Sequence, residues 1–83
     1  MTLLILFEIL SKSTAKKDQG VKFRLYESEG VQYYIIVDPV DKVAKIYDLT
    51  NGRYIKRTDA TDEITGFSLA DCFITLDFSK IFK

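Results

Sequence analysis

The chain has 83 residues, of which 47% are apolar and 29% charged, and its formal net charge is zero. Such a composition predicts one small folded domain over 1–83, excludes a disordered chain, and offers a polyanion no overall attraction. With no histidine and one cysteine, Cys72, the chain cannot use a Ser–His or Cys–His nucleophile, a His-ligated metal or an intrachain disulfide. Any hydrolytic chemistry falls to carboxylates, lysines, tyrosines or a hard metal ion.

The first stretch, MTLLILFEIL, is apolar but has no basic leader, is interrupted by Glu8, and is followed by no A-x-A site. It is too short to span a bilayer, which takes about 20 apolar residues. The expectation is therefore a soluble cytoplasmic protein with no membrane partner. Leu3 to Leu10 reads as a strand buried on both faces, as in parallel sheets. Glu8 shares a period-2 face with Leu4, Leu6 and Leu10. A carboxylate there needs a partner or a metal. Two readings are open: pairing with a helix lysine near the strand end, or a functional site.

Ser13 or Thr14 can cap a helix over about Ala15–Ser28. Val21, Leu25 and Tyr26 recur at roughly helical spacing, and Asp18–Lys22 is a favourable i,i+4 pair. Gly20 weakens the middle of this helix by about 1 kcal/mol relative to alanine, and Gly30 is placed to end it. From Lys12 to Arg24 there are five basic residues and one acid, whereas from Thr58 to Asp77 there are five acids and no base. Lys16 and Lys17 read as a solvated face or as phosphate contacts.

Gln32 to Asp38 (QYYIIVD) is a strand stopped by Pro39. Strand, helix, strand with this crossover predicts a βαβ unit with parallel strands. Asp38-Pro39 reads as a turn, which makes the next strand, Val43 to Leu49, antiparallel. Asn51-Gly52 predicts a two-residue hairpin with Leu49 facing Tyr54 and Tyr47 facing Lys56. The fourth strand is about Tyr54–Arg57. The tail holds an extended piece near Phe73–Leu76 and a final helical turn. Tyr33, Tyr34, Tyr47 and Tyr54 read as packing, and Cys72 as core.

One run carries a resemblance: FEILSKSTAKKDQGVKFRLYESEGVQYYIIVDP. Its Glu8, Ser11, Ser13-Thr14, Lys22, Tyr26, Gly30-Val31 and Val37-Asp38-Pro39 resemble, in order and spacing, the putative restriction endonuclease family, a branch of the PD-(D/E)XK nuclease superfamily. The segments VAKIYDLTNGRYIKR and FITLDFSKIF resemble the family's usual ending. The resemblance implies an α/β restriction-endonuclease-like core, a β-α-β crossover followed by an antiparallel meander, here with the family's N-terminal part missing. It also implies a Mg²⁺-dependent phosphodiesterase acting on DNA. Glu8 and the Ile9 backbone carbonyl then correspond to metal ligands. Lys22 corresponds to a catalytic lysine on the helix, replacing the usual position two residues after the Glu, which is Leu10. The first metal carboxylate falls on Leu4, so little or no nuclease activity is expected. The alternatives are a non-catalytic nucleic-acid or protein-binding module, or a gene fragment without a selected role. An unpaired edge along Leu3–Leu10 suggests a homodimer.

Overall fold

A computed structural model describes residues 4–10 and 16–82, except that the side chains of residues 16–19 fall outside the description. The element order is β1 (Ile5–Ile9), α1 (Lys16–Glu29), β2 (Tyr33–Asp38), β3 (Val43–Thr50), β4 (Arg53–Ala60), β5 (Ile64–Leu69), β6 (Cys72–Asp77) and a 3-10 turn, Phe78–Lys80. The first four strands form one sheet in the order β1-β2-β3-β4, and β5 and β6 form a separate hairpin. β1 and β2 are parallel, with Ile5 beside Tyr33 and Glu8 beside Ile36. β2, β3 and β4 follow as an antiparallel meander. The chain is thus α/β, a β-α-β unit and then a meander, as the strand and turn signals predict. Among the described residues no helix is long and apolar enough to cross a membrane.

The turns follow their residues. Gly30 takes φ +79°, its N–H donates to the Glu27 carbonyl, and the Val31 N–H donates to the Tyr26 carbonyl. This is the pair of bonds that closes a helix through a left-handed residue. Asp38 Oδ1 accepts from the Val40 and Asp41 N–H groups, holding the β2–β3 turn. Asn51 and Gly52 take φ 52° and 79°, and Leu49 pairs with Tyr54 and Tyr47 with Lys56, as a two-residue hairpin requires.

The sheet has two covered faces. On one, α1 sits over Leu6, Leu10, Tyr34, Ile36, Tyr47, Leu49 and Tyr54. On the other, Tyr33, Ile35, Val37, Ala44, Ile46 and Ala60 pack against Phe67 of the hairpin and Phe78 of the 3-10 turn. α1 and the β5–β6 hairpin are therefore on opposite sides of the sheet. A bulge between Ile46 and Tyr47 in the β3–β4 register re-aims Arg57. Its Nε and Nη2 donate to Asp48 Oδ2 at 3.1 and 3.0 Å, and its Nη1 donates to the Gly66 carbonyl at 2.7 Å. The guanidinium also lies 4.9 Å from the Phe67 ring centre and 5.5 Å from that of Tyr33. Together with the Tyr33 hydroxyl bond to the Ser68 carbonyl, it fastens the hairpin to the sheet.

Several expectations need correction. β2, not β1, is the strand buried on both faces: Tyr33 through Val37 are all buried. β1 is an edge strand among the described residues, and Phe7 and Ile9 are 44% and 71% exposed. Of the helix residues at apolar spacing, Tyr26 packs inward, while Val21 and Leu25 are exposed. The rotation of α1 is set instead by Phe23, which enters an aromatic cluster. Cys72 is exposed, not core. It begins β6 beside the Ala70–Asp71 turn, and it is the later residues of its face, Ile74 and Leu76, that reach the core. β4 runs to Ala60, and β5 is an additional strand. The Ser13/Thr14 cap and the Asp18 side chain lie outside the described residues.

Gly20 lies inside α1, and a Cβ built there meets nothing within 4 Å. Gly20→Ala is therefore expected to stabilise the protein by about 0.5–1 kcal/mol, read as a higher urea midpoint. An unchanged or lower midpoint would show that the helix interior does not extend to this residue.

Candidate functional site

β1 alternates between the two layers. Leu6 and Leu10 face α1, so Glu8 between them faces it too. α1 runs back across the sheet, and Phe23 fixes its rotation. The Phe23 ring lies 5.0 Å from Tyr47, 5.2 Å from Tyr54 and 6.2 Å from Tyr34, and Tyr26 lies 5.2 Å from Tyr34. With Phe23 and Tyr26 turned into the sheet, Lys22 falls on the flank nearest β1. Its Nζ donates to Glu8 Oε1 at 2.6 Å. The Glu8 side chain is 17% exposed and that of Lys22 43%. The two residues singled out in the sequence as catalytic, fourteen positions apart, are thus brought together as an ion pair.

The backbone adds a second feature. The Leu10 N–H donates to the Val37 carbonyl, and the Leu4 carbonyl accepts from the Tyr33 N–H. In a parallel ladder the bonding residues alternate, so the even residues of β1 turn their backbone groups to β2. The odd ones, Ile5, Phe7 and Ile9, turn theirs to the open edge. The Ile9 carbonyl therefore points away from the sheet, beside Glu8. Leu4 shares the Glu8 face at the start of the strand and is 41% exposed. Lys16 and Lys17 open α1, and their side chains lie outside the described residues.

The donor set does not fit Mg²⁺. Glu8 Oε1 is taken by an ammonium. Among the described residues no three His, Cys, Asp or Glu side chains converge on a point where a metal could sit. A single carboxylate with one carbonyl falls short of the octahedral oxygen shell that Mg²⁺ requires.

Two residues near Glu8 have no functional signal in the sequence. Lys45 faces the helix side in the row Glu8–Ile36–Lys45. Tyr34 is fully buried on the same face, and its hydroxyl makes no hydrogen bond. Period-2 parity within β2 and β3 could have placed both, but only once the strand registers were known. The neighbouring phenol, Tyr54, is satisfied: its hydroxyl donates to the Val31 carbonyl at 2.8 Å, and its N–H donates to Glu27 Oε2 at 2.7 Å.

The Uma2 family, described as putative restriction endonuclease, matches residues 3–76. The chain belongs to this family. Its mixed α/β architecture is compatible with a restriction-endonuclease-like fold. No curated protein matches the chain.

Two predictions follow from this geometry. Lys22→Met is expected to cost about 1 kcal/mol, because it strands a carboxylate that is mostly out of solvent. The cost should shrink in a Glu8→Gln background, and equal costs in both backgrounds by urea unfolding would mean that the pair is not coupled. The second concerns alkali. Burial, with Glu27 adding to it, pushes the Tyr54 hydroxyl from its ordinary 10.0 up to about 12. Burial first and then Glu8 raise Tyr34 further. Both phenols keep their protons longer in the fold than in the unfolded chain. Their contribution is complete below about pH 10 and is lost as pH rises through the folded values. Thermal melts should therefore fall steeply above pH 10, and less steeply in Tyr34→Phe/Tyr54→Phe. Identical slopes would contradict this.

Proposed function

We propose that this chain is a nuclease-derived DNA-binding domain that keeps the Glu8–Lys22 part of a phosphodiester-hydrolysing site and is catalytically defective on its own. The observation that carries the reading is the 2.6 Å contact between Lys22 and Glu8. It unites the two positions matched to the family's catalytic carboxylate and helical lysine. Lys22 is partly exposed, so a phosphate oxygen can draw its ammonium from Glu8 and be stabilised by it. Lys16 and Lys17, at the start of the same helix, are the proposed contacts to flanking phosphates. Leu4 stands at the family's first acidic position and cannot supply a second carboxylate. Were Mg²⁺ bound, it would polarise the phosphate and activate water. The residues present do not form its cage, and no step is assigned to it.

The expected result is salt-dependent DNA binding that weakens in Lys16→Ala/Lys17→Ala, with no plasmid nicking in Mg²⁺ or Mn²⁺. Nicking that disappears in Glu8→Ala would overturn the claim of a defective site. Absence of any DNA binding would favour a protein-binding module or a fragment without a selected role.

A second reading concerns assembly. The Ile5, Phe7 and Ile9 backbone groups face the open edge, where Phe7 and Ile9 are exposed. An antiparallel β1–β1 contact centred on Phe7 would pair Ile5 with Ile9 of a second copy and satisfy these groups. It would also set Glu8 beside Leu6 rather than beside a second Glu8. The proposal is a homodimer through this edge, expected in sedimentation as a dimer that Phe7→Lys dissociates. A monomer at the concentrations used for NMR would overturn it.

A further inference from the structure

The Tyr34 hydroxyl is an anomaly in an otherwise satisfied layer. Tyr34 is fully buried, and its hydroxyl has no hydrogen-bond partner, which is costly unless something accepts its proton. Its place in the sheet narrows the choice of acceptor. Leu6 pairs with Tyr34 and Glu8 with Ile36, so Tyr34 and Glu8 are diagonal neighbours on the helix-covered face. A strand spacing of about 4.8 Å and a two-residue rise put their Cα atoms roughly 8 Å apart. A tyrosine and a glutamate side chain together can close most of that gap. The ring is held at its edge by Tyr26, one helical turn after Lys22. Lys22 takes Glu8 Oε1, and Oε2 retains lone pairs to accept another bond.

We propose that the Tyr34 hydroxyl and the Glu8 carboxylate are bridged by one buried water, which makes Tyr34 a positioning residue for Glu8. Two polar groups on one face that make no direct hydrogen bond are an ordinary setting for such a water. Tyr34 then holds the carboxylate in place when Lys22 turns to a phosphate. That consequence rests on the function proposed above; the bridge itself does not.

The test is a thermal-stability cycle that needs no DNA and no activity. Tyr34→Phe removes only the hydroxyl and keeps the ring contacts. Glu8→Leu removes the acceptor in a strand that already tolerates leucine on that face. If the bridge exists, Tyr34→Phe lowers the melting temperature of the wild type by about 5 °C, and the loss vanishes or reverses in Glu8→Leu. A melting temperature unchanged or raised by Tyr34→Phe in the wild type overturns the proposal. So does an equal loss in both backgrounds, which would assign the hydroxyl to another acceptor. Failure of the nuclease-derived reading would appear in DNA binding and nicking and leave this cycle untouched.

Discussion

The insertion of Phe23 into the cluster of Tyr34, Tyr47 and Tyr54 is the constraint on which the arrangement depends. α1 has only a weak apolar stripe of its own, since Val21 and Leu25 face solvent. Its rotation is therefore decided by one phenylalanine and one tyrosine meeting tyrosines on β2, β3 and β4. Aromatic edges and faces prefer tilted and T-shaped contacts, and these fix an angle that aliphatic packing would leave looser. Once Phe23 and Tyr26 are seated, Lys22 has to project over β1, and the only carboxylate in that strand is there to receive it. Two more bonds hold the helix end: Glu27 accepts from the Tyr54 N–H, and the Tyr54 hydroxyl donates to the Val31 carbonyl.

The two faces of the sheet solve burial differently. The helix side is rich in phenols and contains the Glu8–Lys22 ion pair. The hairpin side is apolar and is closed by a single arginine, delivered there by the bulge in β4. Arg57 uses its planar fork for Asp48 and Gly66 and its flat face for Phe67 and Tyr33. A lysine has neither the fork nor the face. The β5–β6 hairpin lies on this side of the sheet, opposite α1.

The first half of the fold was legible because its signals are local. Gly30 is the residue a left-handed helix end calls for, Asn51-Gly52 fixes the β3–β4 register, and the spacing between apolar runs dictates a parallel crossover. The pairing of Glu8 with a helix lysine was likewise one of the two readings open from its apolar strand. What was not legible depends on tertiary context. β5 carries Gly66 and Ser68, and it turns at Ala70-Asp71, which lacks the Asn-Gly or Asp-Gly pair of a strong hairpin signal. Cys72 opens an apolar run, yet it sits at the turn end of the hairpin, beyond the reach of the core. Spacing alone gives Val21 and Leu25 the same weight as Phe23, whereas the sheet offers an aromatic socket to Phe23 only. Tyr34 gave no functional signal at all, since a buried tyrosine in a strand ordinarily means packing.

Membership of the restriction endonuclease family and the Glu8–Lys22 contact together give the site its meaning. Glu8 faces an ammonium, and Leu4, on the same face of its strand, carries no carboxylate. The most direct test is Mn²⁺ titration of ¹⁵N-labelled protein, following paramagnetic broadening of backbone amides. The account predicts no selective broadening of the Leu6–Leu10 amides. Selective broadening there, abolished by Glu8→Ala, would show that a metal displaces Lys22 and would contradict it.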